Sequence, residues 1–224
     1  MKRFVKENAL GLTFGLLFLV VLVGQAFAGL ADYNQQQLAE GLQPIGFARY
    51  VTSASFGADV AENWQSEYLQ FFLFIFLTVW LVQKGSPESK QLDKVGRESD
   101  KDQKVGPYAQ EDSPKWAHAS GFKLFLFSNS LGLVMGAIFV VSWVAQFVAG
   151  RAAFNEEQLG NLEDPMSPVQ YLMAPDFWNR TLQNWQSELL AVASMAILAI
   201  YLRQRGSSQS KPVGSPHTAT GDEN

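Results

Sequence analysis

Four apolar segments that contain no charged residue most constrain what this chain can fold into. They cover residues 8–29, 68–83, 124–150 and 189–202. A helix needs roughly 20 apolar residues to cross about 30 Å of hydrocarbon. The first and third segments reach this length, whereas the second and fourth fall slightly short of it. The pattern predicts a membrane protein with four transmembrane helices.

The first half of the chain is repeated in the second half. When the sequence is shifted by 121 residues without a gap, residues 2–90 align with residues 123–211, and 33 of the 89 pairs are identical. Such self-similarity indicates duplication of one structural unit. It also predicts that the first apolar segment is a retained helix, because the same segment recurs inside the chain, where no signal-peptide cleavage is expected.

Basic residues are distributed unequally among the polar segments. Of the 17 Lys and Arg residues, 14 lie before residue 8, between residues 84 and 123, or after residue 202. The positive-inside rule therefore predicts that these segments and both termini are cytoplasmic. Each two-helix copy returns to its starting side, so the copies are parallel repeats. The predicted fold is all-α, with four transmembrane helices as two parallel pseudo-symmetric helical hairpins.

The predicted domains follow from the repeat and from the charge pattern. Residues 1–90 form the first two-helix repeat, with transmembrane helices at about 8–29 and 64–83. Residues 122–206 form the second, with transmembrane helices at about 124–150 and 184–203. The linker 91–121 and the tail 207–224 are rich in polar and charged residues, Gly and Pro. We expect both to be disordered, because such segments bury little apolar surface.

The outer connections carry signals for helix starts. Asn34 lies three residues before Gln37, as in a capping box, and predicts a short helix at the outer surface. Asn155 and Gln158 repeat this spacing. Ser55 and Asp176 are residue types that favour the N-cap position, here of the helices that return into the membrane.

The longest identical block of the repeat is Asn63-Trp-Gln-Ser-Glu67, which recurs as Asn184-Trp-Gln-Ser-Glu188 before the second returning helix. The doubled unit with this block resembles an uncharacterised family of small bacterial inner-membrane proteins with a domain of unknown function. The resemblance covers most of the chain. It implies a multi-pass protein of the bacterial inner (plasma) membrane, and it implies no activity, ligand or catalytic residue.

Repeated glycines mark one face of the first helix of each copy. They are Gly11 and Gly15 in the first copy and Gly132 and Gly136 in the second. Small residues four apart let helix backbones approach closely in a membrane. We therefore predict that these two helices pack against each other through their glycine faces.

Two repeated glutamates open the returning helices. Only 15 residues, or roughly 22 Å of helix, separate Glu188 from Arg203, which is less than the hydrocarbon thickness. The carboxylates then lie at the outer interface or about a turn below it. We predict one polar cluster near the pseudo-twofold axis, composed of Glu67, Glu188, Gln25, Gln146, Asn63 and Asn184. Two interpretations stay open: structural hydrogen bonding, or a site for a proton, a cation or a small polar solute.

The chain lacks the residue patterns of common enzymes and cofactor sites. It has no cysteine, and its two histidines lie outside the apolar segments. It contains no Walker A, nucleotide-binding or zinc-protease motif. The basic residues of the linker alternate with acidic ones, which argues against nucleic-acid binding. We expect no catalytic residue, cofactor or metal site, and no enzyme activity.

The sequence thus predicts a structural or interaction protein of the membrane. Its expected partners are the lipid bilayer and either further copies of the chain or another membrane protein. The alternative is a small transporter or channel component that binds a proton, a cation or a small polar solute at Glu67 and Glu188.

Overall fold

The computed structural model describes residues 2–221, and every regular element in this range is helical. The all-α prediction is therefore confirmed for the described residues. Residue 1 and residues 222–224, the end of the predicted tail, lie outside them. The α-helices are α1 (Lys2–Glu7), α2 (Ala9–Ala39), α3 (Phe47–Val51), α4 (Ala54–Leu77), α5 (Gly121–Ser128), α6 (Ser130–Gly160), α7 (Pro168–Leu172) and α8 (Pro175–Tyr201).

Two of these helices, α2 and α6, are long and apolar enough to cross a membrane by length and composition. Each has 31 residues, and only 6% and 11% of their most apolar stretches are buried inside the protein. Within residues 2–221, α4 and α8 do not meet the same criterion. Their first halves contain charged and amide side chains, such as Glu62 and Arg180, which lower the average apolar character.

An asparagine interrupts each N-terminal apolar segment. The Asn8 side-chain amide donates to the Phe4 carbonyl at 2.8 Å, and that of Asn129 donates to the Phe125 carbonyl at 2.7 Å. An asparagine side chain competes with backbone N–H groups for helix carbonyls, which disfavours it inside a helix. The segment predicted as one helix over 124–150 is therefore divided, with α5 before Asn129 and α6 after it.

The long helices continue beyond the apolar segments, so Asn34 and Asn155 lie inside α2 and α6. Asn34 does not open a separate helix, and that prediction was wrong. Its side chain instead accepts the Ile45 N–H at 2.8 Å and donates to the Ile45 carbonyl at 3.0 Å. Asn155 makes the same pair of hydrogen bonds with Met166, at 2.8 and 3.0 Å. A side-chain amide can bind a neighbouring segment in this way while its own backbone stays helical.

The starts of the returning helices also differ from the prediction. Ser53, rather than Ser55, accepts a backbone N–H of the first turn of α4, from Phe56 at 3.2 Å. Helix α8 begins at Pro175, whose fixed φ angle suits the first helical position. Asp176 therefore lies in the first turn, where the helix dipole favours a negative charge.

The chain divides into two compact units. The described part of the first comprises residues 2–60 and 145–171, and that of the second comprises residues 61–144 and 172–221. Each unit takes segments from both sequence copies, and the predicted domains 1–90 and 122–206 stay a prediction.

Two tyrosines form much of the buried core of the first unit. Tyr50 and Tyr171 are almost fully buried. A Cβ atom added to Gly29 would collide with the Tyr50 hydroxyl, and one added to Gly150 would lie 2.6 Å from the Tyr171 hydroxyl. Glycine at both positions therefore allows a tyrosine ring to rest directly on the helix backbone.

Helix α4 ends at Leu77, six residues before the end of the predicted helix 64–83. The Thr78 hydroxyl donates to the Phe74 carbonyl at 2.6 Å, and the Val79 carbonyl accepts the Gly96 N–H at 2.8 Å. These bonds satisfy the backbone without a further helical turn. Three short 3₁₀ helices, at Leu92–Lys94, Gly106–Tyr108 and Lys115–His118, lie in the linker.

The same turn follows α4 and α8 in the second unit. The Ser89 hydroxyl accepts the backbone N–H six residues before it, from Gln83, at 2.9 Å, and Ser210 does so from Gln204 at the same distance. Each turn contains a glycine with positive φ, Gly85 at 86° and Gly206 at 83°. Glycine is favoured there because this conformation costs other residues steric strain.

The tail is attached to the first of these turns. Lys211 is 1% exposed, and its ammonium group donates to the backbone carbonyls of Gly85 at 2.6 Å, Pro216 at 3.1 Å, His217 at 3.1 Å and Ala219 at 3.0 Å. The hydroxyl of Thr220 accepts the Gly85 N–H at 2.8 Å. The disorder expected of the linker and tail stays a prediction. An experiment that shows whether these contacts form would test it for the tail.

Candidate functional site

A line of polar contacts joins α4 to α8 within the second unit. Its first member is an ion pair, in which Arg180 Nη1 lies 3.3 Å from Glu62 Oε2. Arg180 also lies 3.4 Å from Asp176 of its own helix. The arginine side chain is 46% exposed, so solvent screens the pair, and its contribution to stability is about 0–1 kcal/mol.

The second contact is the most buried. The indole N–H of Trp185 donates to the side-chain carbonyl of Gln65 at 2.7 Å. Gln65 is 0% exposed. Loss of one partner of a buried hydrogen bond costs about 1–3 kcal/mol, because the other partner is left without water. This bond therefore fixes the approach of α4 and α8 more strongly than the ion pair does.

Two acidic side chains lie further along the same two helices. The carboxyl groups of Glu67 and Glu188 lie close enough to interact electrostatically. Glu67 is exposed and Glu188 is half-buried. Among the described residues, neither carboxylate has an ion-pair partner, and no group of three or more His, Cys, Asp or Glu side chains could hold a metal ion. Within residues 2–221, no basic side chain therefore pairs with either carboxyl group.

The order of the ion pair and the buried hydrogen bond gives the relative direction of the two helices. Partners advance from Glu62 to Gln65 along α4, and from Arg180 to Trp185 along α8. The helices therefore run side by side in the same direction.

Aromatic side chains surround the second contact. The Trp143 ring of α6 lies 6.0 Å from the Trp185 ring, 6.1 Å from Phe177 and 5.9 Å from Phe139, centroid to centroid. The indole N–H of Trp143 and the side-chain NH₂ of Gln65 are both buried, and neither has a hydrogen-bond partner among residues 2–221. Two N–H donors are thus left without an acceptor in one aromatic environment.

Four members of the polar cluster expected from the sequence lie in the second unit. The Glu188 carboxyl group is near enough to Glu67 for their charges to interact. Asn63 is exposed, and the Asn184 amide donates to the Arg180 carbonyl of its own helix at 2.9 Å instead of joining them.

The two remaining members of that cluster belong to the first unit. Gln25 is half-buried there and Gln146 is buried. The six-residue cluster as a whole stays a prediction.

The glycines of the two copies differ in what lies next to them. A Cβ on Gly136 would lie 3.1 Å from the Phe72 ring, and one on Gly132 would lie 4.0 Å from Ile75, both residues of α4. In the second copy the small residues therefore accommodate α4, because an aromatic ring fits against bare backbone. No described atom lies within 4 Å of a Cβ built on Gly11 or Gly15, and their role in packing stays a prediction.

Sequence reasoning missed Gln65 as the buried centre of this site. The repeat does point to the position, since Gln65 and Gln186 match across the two copies. Their surroundings differ, because Gln65 is buried and Gln186 is exposed. Identity between copies therefore marked the residue type but could not indicate which copy buries it.

Together these features define an all-helical protein with two helices apolar enough to cross a membrane and a polar contact line in its second unit. The chain belongs to the family described as a domain of unknown function, DUF6766, whose model matches residues 1–222. No curated protein and no solved structure matches the chain. The family brings no activity, so function has to be argued from the site.

Proposed function

We propose that this protein is an integral, multi-pass protein of the bacterial inner (plasma) membrane with a structural or interaction role and no enzyme activity. In the proposed arrangement α2, α4, α6 and α8 all cross the membrane, as two parallel pseudo-symmetric hairpins with cytoplasmic termini. Its partners are the lipid bilayer and a second copy of the chain or another membrane protein, and it binds no nucleic acid.

The observation that carries the proposal is the exposure of α2 and α6. Large apolar residues along both helices face outward, among them Leu10 at 75% and Val141 at 69% exposed. Soluble proteins rarely leave contiguous apolar patches larger than a few hundred Å² in water. A lipid bilayer is the solvent that accommodates such a surface.

The contacts between α4 and α8 support the extension from two crossing helices to four. The polar side chains of these helices pair with each other, as in the bond between Gln65 and Trp185. Apolar residues in their later halves, such as Phe76 and Leu198, are exposed. Helices with internal polar contacts and an apolar outer face suit a membrane, because polar groups there need partners within the protein.

Membrane extraction tests the integral location. After cell lysis, we expect the protein to remain with the membrane pellet in alkaline carbonate, which releases peripheral proteins, and to become soluble only in detergent. Release by carbonate would contradict the proposal.

A photo-crosslinking residue in place of Leu10 or Val141, compared with one at the exposed linker residue Leu92, tests the interaction role. Crosslinks to a second copy or to a defined membrane protein are expected only from the two helix positions.

The alternative function is a small transporter or channel component. The specific observation in its favour is the electrostatic interaction between Glu67 and Glu188, since a bound proton or cation would relieve the repulsion between two carboxylates. In liposomes with an imposed proton or sodium gradient, this function predicts flux that is lost in the Glu67→Gln, Glu188→Gln double variant. The control is Glu157→Gln, an exposed carboxylate in the first unit. Equal flux in the wild type and the double variant would exclude these carboxylates from the mechanism.

A further inference from the structure

We propose that a cavity in the second unit binds the head group of phosphatidylethanolamine, a lipid that carries both a phosphate and an ammonium group. The inference rests on the proposed membrane location. The cavity is formed by the segment that follows α4, the first 3₁₀ helix of the linker (Leu92–Lys94) and the tail.

The cavity is large enough for a small ligand and is accessible. Its volume is about 700 Å³, and ligand sites in proteins usually have about 300–1,000 Å³. Four of its lining residues are exposed, namely Lys84, Leu92, Asp93 and Thr218. Thr220, which also lines it, is buried. A ligand can therefore enter from the surface without a change in the fold.

Two opposite charges line the cavity without neutralising each other. Lys84 supplies the positive charge and Asp93 the negative one. Within residues 2–221, they form no ion pair with each other or with another residue. A ligand with one group of each sign can interact with both, with its anion near Lys84 and its cation near Asp93. A ligand with a single charge is attracted by one residue and repelled by the other.

The kind of cation distinguishes phosphatidylethanolamine from other phospholipids. Its ammonium group has three N–H donors, which a carboxylate can accept. The choline group of phosphatidylcholine has none, because methyl groups replace its protons. Phosphatidylglycerol has a phosphate and no cation, so Asp93 repels it. Lipids with the same acyl chains and these three head groups therefore separate the contributions of the two residues.

The position of the cavity favours a lipid over a soluble zwitterion. Lys84 is the first charged residue after the apolar segment 68–83, so in the proposed topology its ammonium group lies at the level of the lipid phosphates. Val82 and Leu92 give the cavity an apolar part, and Leu92 is 81% exposed. A head group with its acyl chains attached contacts the charged and the apolar parts together.

The tail contributes one wall of the cavity, through Thr218 and Thr220. It is attached by the Thr220 hydroxyl, which accepts the Gly85 N–H at 2.8 Å, and by the buried Lys211. The cavity is therefore complete only while the tail is attached. A ligand that binds only this state stabilises it. Lipid binding and tail attachment should strengthen each other, which provides a second readout.

Native mass spectrometry of the full-length protein in detergent measures the affinity for each added lipid. We expect the wild type to bind phosphatidylethanolamine about two- to fivefold more tightly than the other two lipids, as solvent-screened charge interactions imply. Asp93→Asn and Lys84→Gln should each weaken this binding by a similar factor. The matched controls Asp100→Asn and Lys94→Gln remove the same charges from exposed residues outside the cavity, and they should leave it unchanged.

Proteolysis of the tail in nanodiscs measures the second readout. Residues 212–221 should be cleaved about two- to fivefold more slowly when phosphatidylethanolamine is present than in phosphatidylcholine alone. Lys211→Met, which removes an attachment of the tail and does not line the cavity, should abolish this difference between the lipids.

The other outcomes overturn the proposal in distinguishable ways. Equal affinity of the wild type for the three lipids would exclude a head-group site, and this comparison needs no substitution. Tighter binding of phosphatidylglycerol would indicate a site for anions alone. Displacement of the lipid by an equal concentration of soluble glycerophosphoethanolamine would identify a soluble ligand instead of a lipid. Failure of the membrane location itself is seen separately, as release of the protein by carbonate, and it removes this inference as well.

Discussion

At the scale of single residues, the two glycine–tyrosine contacts of the first unit show how a missing side chain shapes the core. Gly29 and Gly150 permit the hydroxyls of Tyr50 and Tyr171 to approach the helix backbone. Gly24 lies in the same helix as Gly29, yet no described atom is within 4 Å of a Cβ placed there. Glycine is thus required by packing at some helix positions and not at others.

This contrast gives a stability prediction. Gly150→Ala should lower the free energy of unfolding by about 1–3 kcal/mol, because the new methyl group meets the Tyr171 hydroxyl. The control variant Gly24→Ala should be neutral or slightly stabilising, since alanine favours helix. Thermal unfolding in detergent measures both. Tyr171→Phe in the Gly150→Ala background removes the colliding oxygen, and we expect it to recover part of the loss. No recovery would show that the hydroxyl is not the obstacle.

A carboxyl group in the linker gives a pH prediction. The hydrogen bond from Lys90 lowers the pKa of Glu98, and a hydrogen bond from Gln103 acts in the same direction. The folded linker therefore prefers the ionised carboxylate. Its contribution to stability is complete above the ordinary glutamate pKa of about 4.3 and is lost as the pH falls through the lowered value.

The measurement for this prediction is the ¹³C titration of the Glu98 carboxyl by NMR. We expect its midpoint below that of a glutamate in an unstructured peptide. Lys90→Met should move the midpoint upward, and the exposed control Lys94→Met should not. A Glu98 midpoint that is the same in the wild type and in Lys90→Met would refute the ion pair, in which the two groups are 2.9 Å apart.

At the scale of elements, the turns after α4 and α8 are organised by side chains that bind backbone. The Lys211 ammonium group gathers the carbonyls of the tail and of Gly85 around itself. Burial lowers the pKa of Lys211, and the nearby Arg203 lowers it further. The hydrogen bonds to the carbonyls thus stabilise a positive charge that burial and Arg203 disfavour. The position of the tail depends on these hydrogen bonds.

The dependence of the tail on Lys211 can be measured by limited proteolysis. Lys211→Met removes the donor for four carbonyls, so residues 212–221 should detach and be cleaved several-fold faster than in the wild type. Lys94→Met, at an exposed lysine, should leave the cleavage rate unchanged. Equally rapid cleavage of the wild type and Lys211→Met would support the disordered tail that the sequence predicts.

Local patterns predicted the existence of the main helices but not their ends. The absence of charge over residues 8–29 and 124–150 is a strong signal, and α2 and α6 cover most of these ranges. The ends depend on partners distant in sequence, such as Ile45 for Asn34 and Gly96 for Val79. A capping pattern read from adjacent residues cannot reveal such partners.

The sequence revealed only part of the candidate site. The repeated block drew attention to Glu67 and Glu188, and their place in one polar cluster stays a prediction. The burial of Gln65 follows from the packing of α4 against Trp185 of α8, and no periodicity within either helix encodes it.

At the scale of the whole molecule, the central claim is that the chain crosses the membrane four times. By composition alone α2 and α6 could be the only crossing helices, since α4 and α8 carry polar first halves. With four crossings, the linker is cytoplasmic and the connection before α8 lies outside the cell. With two crossings, the linker lies outside and the connection is cytoplasmic. The two arrangements can therefore be distinguished without any knowledge of activity.

Thiol accessibility in intact cells is the most direct test, because the chain has no cysteine of its own. Single cysteines replace the exposed residues Gln36, Asp100 and Glu157, and a membrane-impermeant reagent is added from outside. Four crossings with a cytoplasmic N-terminus predict labelling at 36 and 157 and none at 100 until the cells are permeabilised. Labelling at 36 and 100 but not at 157 would show that only α2 and α6 cross, and it would contradict the account.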